Sequence, residues 1–205
     1  MNSSRQAGRA GFCAMLALGL GAGMFSMGGA AADPMLTGGL TSQPIGHYDF
    51  CKSNPAECRI RTRDAGPQPM NGRLWRDVVA VNAGINASIR PMNDFDVYGA
   101  DEVWAYPDGA GDCEDYVLEK RRQLMRRGVA LSNLLITVVR KPDGEGHAVL
   151  TIRTTGGDFV LDNLTDEVRE WHTTGYRFLK RQAVDHTGHW VSIREGNEAL
   201  VSSVQ

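Results

Sequence analysis

Gly146-His147-Ala148-Val149-Leu150-Thr151-Ile152-Arg153-Thr154-Thr155-Gly156-Gly157-Asp158-Phe159-Val160-Leu161-Asp162-Asn163 is the stretch from which the fold can be argued. Two runs rich in β-branched and aliphatic residues, Ala148–Arg153 and Asp158–Leu161, flank Thr155-Gly156-Gly157, whose glycines suit a hairpin connection. An antiparallel pair of this kind brings the start of its first strand beside the end of its second. His147 and Asp162 then share one end of a sheet. Turn length decides whether they also share a face. A two-residue turn at Thr155-Gly156 sets Asp162 opposite Val149, on the His147 face and one diagonal away, roughly 7–8 Å between backbones. A three-residue loop puts the two on opposite faces. Both arrangements stay open at this level.

Working outward, Leu134–Arg140, Arg177–Gln182 and Trp190–Arg194 also read as strands, and Pro142-Asp143-Gly144-Glu145-Gly146 as a second hairpin connection. Upstream the period changes. Leu74, Val78, Val81, Ile85 and Ile89 recur at helical spacing from Asn71 until Pro91 stops them. Met92 to Gly111 has turn chemistry throughout. A second helix is predicted from Asp112 to Arg127, with Gly128 as its stop and Tyr116, Val117, Lys120, Leu124 and Met125 mostly on one side. Helices followed by an antiparallel run of strands predict an α+β domain over 71–205. Residues 33–70, rich in Gly, Pro, Ser and Thr, read as an irregular N-terminal arm, and Trp75, Trp171 and Trp190 as core aromatics.

The chain has 205 residues, 42% hydrophobic and 22% charged, which suits one globular domain. Its net charge of −2 argues against a nucleic-acid partner, which would call for a basic face. In the first 32 residues, Arg5 and Arg9 precede an apolar run from Gly11 to Met27 and then Ala30-Ala31-Ala32. That order reads as a secretory signal cleaved after Ala32. An uncleaved anchor is the competing reading, disfavoured by glycine content and a length at the low limit of the roughly 20 residues a bilayer needs. The expectation is a periplasmic or secreted protein with no stable membrane anchor. Cys13 would leave with the signal. In an oxidising compartment Cys51 and Cys58 are expected to pair and close a short loop; no second Cys or His pair stands nearby to favour zinc. Cys113 is left over, either a buried packing residue or a reactive thiol.

Its setting is Gly109-Ala110-Gly111-Asp112-Cys113-Glu114-Asp115-Tyr116, with the cysteine in the first helical turn. Asp112 is placed to act as N-cap and Asp115 to complete a capping box. The helix N-terminus favours thiolate, whereas the three flanking carboxylates oppose it. A thiolate nucleophile there needs a basic partner. Of His47, His147, His172, His186 and His189, only His147 opens a strand beside an acidic strand end; His172, His186 and His189 read as surface or structural. Cys113, His147 and Asp162 thus make a triad in which thiol attacks, imidazole carries the proton and carboxylate orients it. The residues also admit plainer roles: packing for Cys113, a turn residue in His147, a strand-end cap in Asp162-Asn163.

Gly111-Asp112-Cys113-Glu114-Asp115-Tyr116, Gly146-His147-Ala148-Val149-Leu150 and Val160-Leu161-Asp162-Asn163 resemble, in that order, three signature blocks of the bacterial transglutaminase-like cysteine proteinases. Trp104, Pro107, Lys120 and Gly175-Tyr176-Arg177-Phe178 fit the same pattern, and the resemblance covers about residues 45–195. It implies a papain-like or transglutaminase-like core, a helix carrying the nucleophile packed on an antiparallel sheet, and Cys113, His147 and Asp162 as the catalytic three. One branch, the LapG-type periplasmic proteases, clips surface adhesins and depends on calcium. By position its metal ligands would be Asp112 and Glu114, with Asp115, and oxygen donors suit Ca²⁺. Helix capping and surface charge are the equal alternative. The short Pro107-Asp108-Gly109-Ala110 link before the cysteine departs from that branch. The backbone N–H of Cys113 and, by analogy with transglutaminases, the indole of Trp104 are the oxyanion donors; Trp104 reads equally as core. The chemistry itself requires no cofactor. The expectation is an exported thiol hydrolase acting on a protein or peptide, in that branch a cell-surface protein. Its rivals are an acyl transferase or amidase on cell-wall peptides, and an inactive binding module.

Overall fold

The computed structural model describes residues 33–194, so the expected leader with Cys13 lies outside the described residues. Nine strands and five α-helices follow in chain order. They are β1 (Thr37–Thr41), α1 (Ile45–Ser53), α2 (Pro55–Cys58), α3 (Gly72–Ser88), β2 (Arg90–Pro91), α4 (Asp94–Tyr98), β3 (Ala110–Gly111) and α5 (Cys113–Arg126). The sheet strands β4 (Leu134–Arg140), β5 (Gly146–Thr154), β6 (Gly157–Asp162), β7 (Thr165–Glu170), β8 (Arg177–Gln182) and β9 (Trp190–Ile193) complete the set among the described residues. Seven strands form one antiparallel sheet in the order β1-β9-β8-β4-β5-β6-β7; β2 and β3 make a small parallel pair.

The helical stripe packs as its period requires. Leu74, Val78 and Val81 of α3 and Val117, Leu118 and Leu124 of α5 join Leu134, Ile136, Leu150, Ile152 and Leu161 in the main core. The alternate residues of the same strands face the other way. Val139, Val149, Val160 and Phe178 make a second, smaller cluster with Met35 and Ile193. Both faces of the central strands are therefore covered, which is why β4 reads as a nearly continuous apolar run. Asn71 caps α3 by accepting from the N–H groups of Arg73 and Leu74. At the far end of α5, Gly128 takes the left-handed conformation (φ 89°). Its N–H bonds to Met125 O and that of Val129 to Leu124 O, the paired closure of a Schellman motif.

The segment 33–70 is not an irregular arm. β1 pairs with β9, α1 buries His47 and Phe50, and Arg61 and Gln68 form bridges to His186 and Thr154. Gly38 and Gly39 leave β1 without an alternating pattern, and α1 is too short to display a helical period. The disulfide does form, joining Cys51 and Cys58 across a Cα–Cα distance of 5.6 Å, which ties α1 to α2. The 92–111 stretch likewise contains α4, capped by the Asn93 side chain and stopped by Gly99 at φ 69°. β7 escaped the sequence reading because only Val168 among its six residues is apolar. Trp190 is core, but Trp75 is 37% exposed and lies against Phe159, and Trp171 is only part-buried.

Candidate active site

The hairpin takes the two-residue turn. Thr154 pairs with Gly157 and Leu150 with Leu161, which extends to set Asp162 across from Val149. Gly157 has a φ of 110°, a conformation available to glycine. The Thr154 hydroxyl bonds the Gly157 carbonyl and accepts from the Gly156 N–H. In the resulting register the Nε2 of His147 lies 2.8 Å from Asp162 Oδ1, with both side chains almost wholly buried. Asp162 also accepts from the Leu164 N–H at 3.0 Å and from the Tyr176 hydroxyl at 2.7 Å. Burial raises the Asp162 carboxyl, but these hydrogen bonds and the charge of His147 outweigh it and hold the group below its ordinary value. With Nε2 engaged by the carboxylate, the imidazole keeps Nδ1 for other work.

Cys113 is the first residue of α5 and the free cysteine of the described residues. Its sulfur is close enough to the Ala148 N–H, one residue from His147, for that group to favour the thiolate. The thiol donates to Glu114 Oε2 at 3.0 Å. Among the described residues it makes no hydrogen bond to His147. Burial, then the charge and bond of Glu114, push the thiol well above its ordinary value. Burial and carboxylates therefore act against the pull of the helix terminus on this thiol.

Of the capping box expected for the acidic neighbours only the Asp115 half is present, its carboxylate bonding the Asp112 backbone. Asp112 holds the N-cap position without a side-chain cap bond, and its Oδ1 is buried without a partner. Asp115 turns to accept from the Ala105 N–H at 2.8 Å and packs against Gly111, where a Cβ would collide with its carboxylate. Asp94, from α4, replaces it in a cluster with Asp112 and Glu114 whose ligand oxygens all lie within 4.8 Å of one another. One oxygen of Asp94 anchors the Val103 N–H at 2.6 Å; the other is buried and unpaired. Burial and then the neighbouring Glu114 raise Asp112 to about 8, while burial, Asp112 and Asp94 raise Asp115 to about 7. Unpaired oxygens and mutual repulsion are what an oxygen-ligated cation relieves, so the donor set fits a hard divalent ion such as Ca²⁺. The cluster and Cys113 line a cavity of about 530 Å³ together with Asp96, Asp101, Glu102 and Gly146.

Trp104 is buried against Gly46, His47 and Trp190, and its indole N–H has no acceptor. Sequence reasoning missed Asp94, the short helix that carries it, and the hydroxyl of Tyr176. The Asn93 cap followed by Gly99 was the available signal for the helix. Nothing local pointed its Asp at a cysteine 19 positions away.

Residues 37–198 match the family described as bacterial transglutaminase-like cysteine proteinase. The chain belongs to that family. As a member of it, the protein is a cysteine peptidase of transglutaminase-like type. Among solved structures, calcium-bound LapG of Legionella pneumophila is 24% identical over 62% of this chain and 75% of its own, with a TM-score of 0.50. The EGTA-treated form of the same protein is 25% identical over 58% and 67%, also at 0.50. A third LapG structure is 25% identical over 58% of this chain and 68% of its own, at 0.49. No curated protein matches the chain significantly. The transglutaminase-like fold of the family agrees with the α-helices packed on an antiparallel sheet seen here.

If Glu114 holds the thiol neutral, Glu114→Gln removes the charge and favours the thiolate. Alkylation of Cys113 by iodoacetamide at pH 7 in chelator-treated protein should accelerate by about threefold or more. An unchanged or slower rate would show that Glu114 does not set the thiol's state.

Proposed function

We propose that the protein is an exported peptidase that cleaves a peptide bond through a thioester on Cys113, with His147 as base and Asp162 as its orienting partner. The observation that carries this reading is the buried His147–Asp162 hydrogen bond of 2.8 Å at the strand end that borders Cys113. For reaction, the thiol leaves its bond with Glu114 and gives its proton to Nδ1 of His147. The thiolate adds to the scissile carbonyl. The backbone N–H of Cys113, in the open first turn of α5, is one donor for the developing oxyanion, and the unpaired indole N–H of Trp104 is a second. His147 returns the proton to the departing amine. Water, deprotonated by the same imidazole, then cleaves the thioester and restores the thiol.

Asp94, Asp112 and Glu114 are the residues that would hold Ca²⁺, a reading supported by their unpaired oxygens and by the calcium-bound LapG among similar structures. A cation there supplies positive charge that offsets the carboxylates opposing the thiolate. Substrates are then proteins outside the cytoplasm, cell-surface proteins in particular. That placement is supported by the leader pattern and by the Cys51–Cys58 disulfide. Among the described residues no helix is long and apolar enough to cross a membrane.

A thiol-directed acyl probe should modify Cys113 stoichiometrically in the calcium-loaded protein and fail to do so in His147→Ala. Equal labelling of the two would remove His147 as the base. Calorimetric titration with Ca²⁺ should give one binding event that Asp94→Asn and Asp112→Asn each weaken by about tenfold or more. Absence of binding heat in the unmodified protein, at more than one temperature, would remove the metal site while leaving the triad standing.

A further inference from the structure

The carboxylate of Asp162 is gripped on both oxygens. Oδ1 takes the His147 and Leu164 donors, and Oδ2 takes the Tyr176 hydroxyl at 2.7 Å. Tyr176 lies just before β8, and its ring stands edge-on to the imidazole of His147, with centroids 5.8 Å apart and planes at 77°. A single side chain therefore touches both members of the pair, the carboxylate through its hydroxyl and the imidazole through its ring. We propose that Tyr176 is a positioning residue for the thiol chemistry, fixing both the plane and the basicity of the Asp162 carboxylate. The inference rests on the reading of Cys113, His147 and Asp162 given above.

Two physical arguments lead there. The terminal torsion of an aspartate is broad, so a carboxylate held through one oxygen can swing and take its imidazole partner with it. A second donor on the other oxygen removes that freedom. Donation from a neutral hydroxyl also withdraws negative charge from Asp162, so the carboxylate pulls less strongly on an imidazolium proton. That matters because His147 must surrender its proton to the leaving amine as readily as it accepts one. The phenol stays protonated, since burial and then the bond and charge of Asp162 push it above its ordinary value. Other charges face the pair without bonding to the carboxylate. Lys120, fully buried on α5 with an unpartnered Nζ, acts on Asp162 and Asp166, while Arg169 and Asp143 act on Tyr176. Packing alone does not account for the hydroxyl. The ring already lies against the second apolar cluster, which a phenylalanine would serve equally well.

The test follows the imidazole of His147 by heteronuclear NMR through a pH titration of the full chain. Tyr176→Phe keeps the ring and removes the donor. Its titration midpoint should rise by about half a pH unit or more, roughly a threefold change in the protonation equilibrium. Replacing the five tyrosines with meta-fluorotyrosine strengthens the phenolic donor and should lower the midpoint, an effect lost in Tyr176→Phe. If Tyr176→Phe does not fold, the fluorinated protein decides alone. A merely structural role moves neither midpoint, and an unchanged or opposite shift overturns the proposal. Asp162→Asn separates the two layers of the argument. It should lower the midpoint, and failure to do so sinks the underlying His147–Asp162 reading. A shift in Asp162→Asn with none from either tyrosine change sinks only the role of Tyr176.

Discussion

The register of one hairpin is the constraint on which the site depends. Side chains alternate along a strand with a period of two, so a slip of one residue between β5 and β6 would carry Asp162 to the face opposite His147. The chain guards that register at both ends. At the turn, Thr154, Gly156 and Gly157 bond among themselves, and the incoming segment adds Gln68 N–H to Arg153 O and Thr155 N–H to Gln68 O. At the end that carries His147 and Asp162, Asn86 of α3 donates to the carbonyls of Asp162 and Thr165 and to Asp166 Oδ1, holding the β6–β7 connection in place. The supports come from three distant parts of the sequence. An enzyme site assembled on a sheet end needs such rigidity, because small displacements of a proton carrier cost rate steeply.

Around Cys113 the balance is electrostatic rather than steric. A cysteine in the first turn of a helix is placed to ionise, yet three carboxylates line the same cavity and one of them, Glu114, accepts the hydrogen bond of its thiol. Burial, Glu114 and Asp112 favour the protonated thiol. Asp112 and Glu114, which oppose the thiolate, also belong with Asp94 to the oxygen cluster suited to a divalent cation. Asp94 is central here because it comes from a separate helix, α4, and completes the cluster with Asp112 and Glu114.

Much of this architecture was legible from the chain. The period of Leu74, Val78 and Val81 gave α3, the Gly128 stop gave the end of α5, and runs rich in Val, Ile, Leu and Thr gave most of the five strands read from the chain, Arg177–Gln182 resting on Phe178 and Leu179. The Thr155-Gly156 turn even contained the correct register, although the sequence left it level with the alternative. What escaped had physical reasons. β1 carries two glycines and β7 is almost wholly polar, so neither shows an alternating face. α1 and α4 are too short for a helical period to emerge. Asp115 looked equivalent to Asp112 and Glu114 along the chain, but helical geometry turns it toward the Ala105 N–H and leaves its place to Asp94. Likewise the Tyr176 hydroxyl reaches Asp162 only through the sheet's non-sequential strand order.

The central claim is that thiol and imidazole occupy one cleft, and bifunctional alkylation tests it most directly. Dibromoacetone first attacks a reactive thiol; its second carbon can then reach an imidazole only within the span of its three-carbon chain. The account predicts a covalent bridge between Cys113 and His147, identified by mass spectrometry of the proteolysed protein and absent from His147→Ala. Modification of Cys113 with the second arm hydrolysed or attached elsewhere would contradict it.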